Sequence, residues 1–136
     1  ASFELLDKVP KSYRHIVKTQ TSFLHCYFDT DKAQIFFEKL IEDEYYNFSR
    51  YNFFLANYLL RKNKIAETKR IIKNSRKKHD SNLLIKQTEN FLLNNQNKKI
   101  RVFFNCQNSK DLLSEFLENL SKIFLFFIFL LIGLKV

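Results

Sequence analysis

This chain of 136 residues has one glycine, one proline, no tryptophan and no methionine. With Gly133 as its only glycine, it cannot build a glycine-rich phosphate loop or a dinucleotide fingerprint. Sheets and tight turns lean on Gly and Pro, so their scarcity favours helices joined by Asn, Asp, Ser and Lys turns. Cys26 and Cys106 are the only cysteines and neither belongs to a CxxC pair. Two thiols so far apart make no disulfide framework; buried free cysteines are expected, with a bridge between them as the alternative. His15, His25 and His79 do not fall at metal-ligand spacing, so no metal or cofactor is expected. His25 adjoins Cys26, but neighbours on a helix diverge by about 100°, so a half-buried His beside a core Cys is the expectation. Because methionine is absent and residue 1 is alanine, the chain is expected not to open at a natural start. A missing targeting signal then carries no weight, and a cytoplasmic or envelope-associated location stays open.

Apolar residues make up 46% of the chain, with 16 phenylalanines, and 23 basic against 14 acidic residues give a net charge of +9. AT-rich codons would enrich Phe, Ile, Asn and Lys together, so part of the lysine surplus is compositional. Apolar spacings of three and four dominate throughout. Phe3 to Leu6 reads as the last turn of a helix closed off by Pro10. A helix over 12–26 carries Ile16 and Phe23 on one face with Val17 and Leu24, and a helix over 31–43 carries Ala33, Phe36, Phe37, Leu40 and Ile41. Ser49 is expected to cap the next helix, to about residue 62, whose apolar residues wrap most of its circumference. The helix over 65–78 has only a narrow stripe of Ile65, Thr68, Ile71, Ile72 and Ser75. A further helix follows through Leu84, Thr88, Phe91 and Leu92, then a short one through Ile100, Phe103 and Phe104. Ser109 is expected to cap a last helix with Leu112, Leu113, Phe116, Leu117 and Leu120.

These hairpins resemble tetratricopeptide repeats, a family with a 34-residue helix–turn–helix unit. Leu55-Ala56 supplies its Leu-small pair and Leu59 the next large position. Asn63 stands at the usual turn glycine, Ile72 at the Phe place and Asp80 at the Pro place. The preceding unit offers Ala33-x3-Phe37 and Tyr45. The following one offers Leu84, Thr88, Phe91, Ile100 and Phe104. Pro10, Tyr45 and Asp80 recur every 35 residues. Asn52 and Gln87 depart from large apolar positions, and Thr68 replaces the signature Ala; other helical-hairpin repeat families with looser signatures share the pattern. The resemblance covers residues 2–107 and implies an all-α, right-handed superhelix of about three hairpins over 1–108. Residues 109–136 would then form a C-terminal amphipathic helix and apolar tail.

The resemblance also implies a non-catalytic scaffold holding a protein or peptide in the groove of the first helices, with Arg50, Asn57 and Arg61 exposed there. Asn57 matches a position that in some members hydrogen-bonds the backbone of an extended peptide. Phe53 and Phe54, where a carboxylate clamp would need basic neighbours, count against a peptide-carboxylate site. A second candidate surface comes from the residues themselves: 61–78 holds nine Lys or Arg and one acid, Glu67. On a helical wheel Lys69, Arg70, Lys73, Arg76 and Lys77 gather opposite the apolar stripe, a face suited to RNA or anionic lipid. No aromatics interleave with them, so base stacking is not expected. Glu38 and Glu42 share a helix face, with Asp43 and Glu44 beyond, and read as a solvated helix end.

The run 123–134, opened by Ile123 and closed by Leu134, is uniformly apolar. Twelve residues extend about 18 Å, short of the roughly 30 Å hydrocarbon core. The run therefore packs on the last hairpin or a second copy, makes a shallow membrane contact, or is a non-native end.

Overall fold

The computed structural model describes residues 2–132, and those residues are helical with no strand among them. In chain order the helices are α1 (Ser2–Asp7), α2 (Arg14–Tyr27), α3 (Ala33–Ile41), α4 (Tyr51–Arg61), α5 (Ile65–Lys78), α6 (Leu83–Leu93), α7 (Asn97–Phe103) and α8 (Ser109–Ile132). A single 3-10 turn, Lys11–Tyr13, follows Pro10. The pairs α2–α3, α4–α5 and α6–α7 are hairpins, and α3 packs on α4 as α5 packs on α6.

The three hairpin turns share one backbone solution. Asp29, Asn63 and Asn95 have φ of 51°, 59° and 55°, and lie 34 and 32 residues apart. Asn and Asp are the residues, after glycine, that enter this left-handed region most readily. In each turn the following N–H donates to a carbonyl five residues back: Thr30 to His25 (3.0 Å), Lys64 to Leu59 (2.9 Å) and Gln96 to Phe91 (2.7 Å). This is a Schellman closure, which satisfies carbonyls left over at a helix end. Asn and Asp thus serve where glycine is lacking.

Ten of the eleven residues of α4, Tyr51 to Leu60, are buried. Phe23 of α2 anchors the aromatic core against it, with ring centroids 5.1 Å from Phe54, 5.6 Å from Phe37 and 5.8 Å from both Tyr51 and Phe104. Polar residues at core positions are satisfied locally. The Thr68 hydroxyl donates to the Lys64 carbonyl (2.8 Å), and the Asn52 amide to the Ser49 carbonyl (3.0 Å).

Several expectations need correction. Ser49 does not cap α4; it is buried and its hydroxyl accepts from the Asn82 amide at 3.0 Å, while Asn82 itself caps α6 through the Ile85 N–H. At the start of α8 the Asn108 side chain accepts from the Lys110 N–H (2.9 Å) in the role expected of Ser109. The buried residues of α2 are Thr19, Ser22, Phe23 and Cys26 rather than a face built on Ile16, and those of α6 are Ile85, Thr88 and Leu92. The cysteines are not free: Cys26 and Cys106 form a disulfide, with Cα atoms 5.8 Å apart. Their separation of 80 residues concealed a proximity that arises because the segment after α7 folds back onto α2.

Candidate functional site

The residues expected to line an open groove are instead committed to the chain's own C-terminal third. Asn57 is 1% exposed. Its amide donates to the carbonyls of Ile100 (2.7 Å) and Phe104 (2.8 Å). Arg61 donates to the Asn57 side-chain oxygen (3.1 Å) and to the carbonyls of Arg101 and Phe104 (2.9 Å for the latter). Phe104 is extended, with φ −155° and ψ 143°. Asn57 thus grips an extended backbone belonging to its own chain. Burial, with the nearby charge of Arg101, lowers the pKa of Arg61, which has no carboxylate within ion-pair distance among the described residues.

Arg50, at the start of α4, bonds both oxygens of Glu115 (3.2 and 2.7 Å) and one of Glu118 (3.0 Å) on α8. Burial opposes its charge, but the two carboxylates outweigh burial and raise its pKa. Beside it, burial and the charge of Glu115 push the Tyr51 phenol up to about 12, while the Asn119 amide donates to its oxygen at 3.1 Å. The disulfide fastens the same region, drawing the loop after α7 onto the end of α2. The expected exposure of Asn57 is therefore corrected: α7, the loop and α8 cover that flank of α4. Glu115 and Glu118 were not singled out from sequence, because their partner Arg50 lies 65 and 68 residues away and leaves no periodic trace.

The basic helix presents a different picture. Lys69, Arg70, Lys73 and Lys77 are exposed, whereas Thr68, Ile72 and Ser75 are buried on the opposite side of α5. Among the described residues none of those four cations forms an ion pair. Arg76 is withdrawn from the set: it is half-buried and bonds Glu89 at 3.1 Å. Arg70 and Lys78 border a cleft of about 370 Å³ whose other wall carries Glu38 and Glu42. The cleft is mixed in charge; Ser75 and His79 also line it, but the buried Ser75 hydroxyl has no hydrogen-bond partner among the described residues. His25 stacks on Phe36 with centroids 4.3 Å apart and its Nδ1 meets the Thr30 hydroxyl at 2.8 Å. Burial, helped by Lys32, lowers its pKa.

Among the described residues no group of three or more His, Cys, Asp or Glu could hold a metal ion, and no helix is long and apolar enough to cross a membrane. No protein-family model, no curated protein and no solved structure matches this chain.

Proposed function

We propose that this protein is a non-catalytic scaffold of stacked helical hairpins, tetratricopeptide-like in architecture, that binds a polyanion through the outer face of α5. One observation carries the reading. Lys69, Arg70, Lys73 and Lys77 stand exposed and unpaired among the described residues, while the groove cations Arg50 and Arg61 are already spent within the chain. The four span nine residues, about 12 Å of helix, enough to follow successive phosphates of a nucleic-acid strand. With no aromatics between them the contact is to backbone rather than bases, so it is independent of sequence.

The test is anisotropy of labelled poly-U RNA titrated at several salt concentrations. Affinity should fall steeply with salt, and alanine at all four positions should flatten the log–log slope by about 3, at roughly 0.7 per lost single-strand contact. A slope unchanged by the four substitutions would refute the assignment.

A second reading keeps the groove as a protein- or peptide-binding site. Its supporting observation is the grip of Asn57 and Arg61 on the extended Phe104 backbone, which an incoming peptide would imitate and displace. Alanine at Arg50, Asn57 or Arg61 that leaves partner capture unaltered would remove it.

A further inference from the structure

Helix α8 turns a mixed face inward, where Leu112 packs on the core and Phe116 is half-buried beside polar residues. Glu115 is 5% exposed against Arg50, and Glu118 and Asn119 also meet α4. Leu113, Leu117, Leu120 and Phe124, spaced by four, three and four, point the other way with exposures of 55, 54, 37 and 70%. A surface helix in water keeps its apolar residues on the core side alone, whereas α8 carries a second apolar stripe on its outer side. The orientation is fixed by the Arg50 ion pairs, so rotating the stripe inward would bury it at the expense of stranding Glu115.

We infer that this outward stripe of α8 is a lipid-contact surface, seated in one leaflet of an anionic membrane. The inference is independent of the α5 reading, because it uses none of the α5 cations and α8 packs on α2. The occupant follows from what comes after Lys122. From Ile123 to Ile132 every residue of α8 is apolar, so the helix changes from striped to apolar all round. A groove on a second copy or another protein would cover one stripe, whereas acyl chains cover every side. Those ten residues extend about 15 Å, half the roughly 30 Å hydrocarbon thickness, which suits entry into one leaflet without crossing. Charge agrees with an anionic surface. The chain carries +9, Lys110 lies exposed beside the stripe, Glu115 and Glu118 are paired with Arg50 and Lys122, and Asp111 is taken up by the Asn105 N–H.

The chain has no tryptophan, so Phe124→Trp creates a single reporter at an exposed position. Vesicles of phosphatidylcholine with phosphatidylglycerol should shift its emission to the blue, and brominated acyl chains should quench it. Adding Leu113→Glu and Leu117→Glu should weaken vesicle binding at least tenfold with the helical circular dichroism unchanged. No shift and no quenching with these vesicles overturns the proposal. So does a blue shift that grows with protein concentration in the absence of lipid alongside a dimer mass, which would assign the stripe to a second copy. Equal binding to phosphatidylcholine alone overturns the anionic preference.

Discussion

Removing the Cys26–Cys106 bridge should destabilise the protein more than any single core truncation outside the aromatic cluster. The bridge closes a loop of 80 residues. The chain-entropy relation for a loop of that size gives about 15 cal/mol/K, or about 4.5 kcal/mol at 25 °C, within the ~2–5 kcal/mol seen for native disulfides in small domains. At about 3 °C per kcal/mol for a chain of this length, the melting temperature should drop by roughly 10–15 °C. The assay is circular dichroism at 222 nm on oxidised protein, on protein unfolded and refolded with a phosphine reductant, and on a Cys26→Ala, Cys106→Ala variant. Both sulfurs are buried, at 1% and 3% exposure, so reduction requires prior opening. Thiol titration in denaturant without reductant should find none. Amide exchange should accelerate first in α7 and the loop that follows, because the bridge ties that loop to α2. Two titratable thiols in unreduced protein, or a melting temperature that barely moves on reduction, would refute the reasoning.

Asn57→Ala should cost about 1–3 kcal/mol by urea titration, since it withdraws a donor from the carbonyls of Ile100 and Phe104 in a buried site. An effect within a few tenths would show that Arg61 alone satisfies that backbone. Acid should loosen α8. The bond from Lys122, and then the charge of Arg50, hold Glu118 below its ordinary value of 4.5. A carboxyl depressed on folding stabilises above its unfolded pKa, and that contribution is lost as pH falls from about 4.5 through the folded value. Glu118 is 42% exposed, so screening keeps the effect to a fraction of ~1 kcal/mol. Amide exchange in α8, corrected for its intrinsic pH dependence, should therefore rise modestly in that window, and Glu118→Gln should abolish the change.

Local features were legible in the sequence because they are periodic. The apolar wrapping of Tyr51 to Leu60 foretold a helix covered on all sides, and the thin stripe through Thr68 and Ile72 foretold one that buries a single face. Asn63 at the glycine place of the turn carries φ of 59°, and Asp29 and Asn95 show the same chemistry in turns whose sequences differ. Capping was misjudged where a side chain had a better distant partner: Ser49 bonds Asn82 and so is lost to the start of α4. The groove was misread for a related reason. Helical periodicity says which side of α4 is polar, but not that α7 and α8 return to cover it. That return depends on Cys26 meeting Cys106, which the sequence offered only as the alternative to free thiols, and on Arg50 meeting Glu115, a pairing with no mutual signal in one sequence.

The placement of charge ties these observations together. Helix α4 packs against α3, α5 and α7, and α8 bonds its first turn through Arg50 and Tyr51. Toward α7 and α8 every basic residue at the surface of α4 has found an oxygen of the same chain: carboxylates for Arg50, backbone carbonyls for Arg61. Such contacts remove the cations from competition for an outside ligand. An external peptide would have to replace the four hydrogen bonds that Asn57 and Arg61 make to three carbonyls before it gained any of its own. On α5 only part of the charge is claimed internally: Arg76 bonds Glu89, whereas Lys69, Arg70, Lys73 and Lys77 have no acid within ion-pair distance among the described residues. The same folding-back that closes the groove turns Glu115 of α8 inward with Leu112 and leaves Leu113, Leu117 and Leu120 outside. One event, the return of the chain onto α2 and α4, therefore accounts for the occupied groove and the outward apolar stripe together. It also leaves the basic face of α5 as the open polar surface.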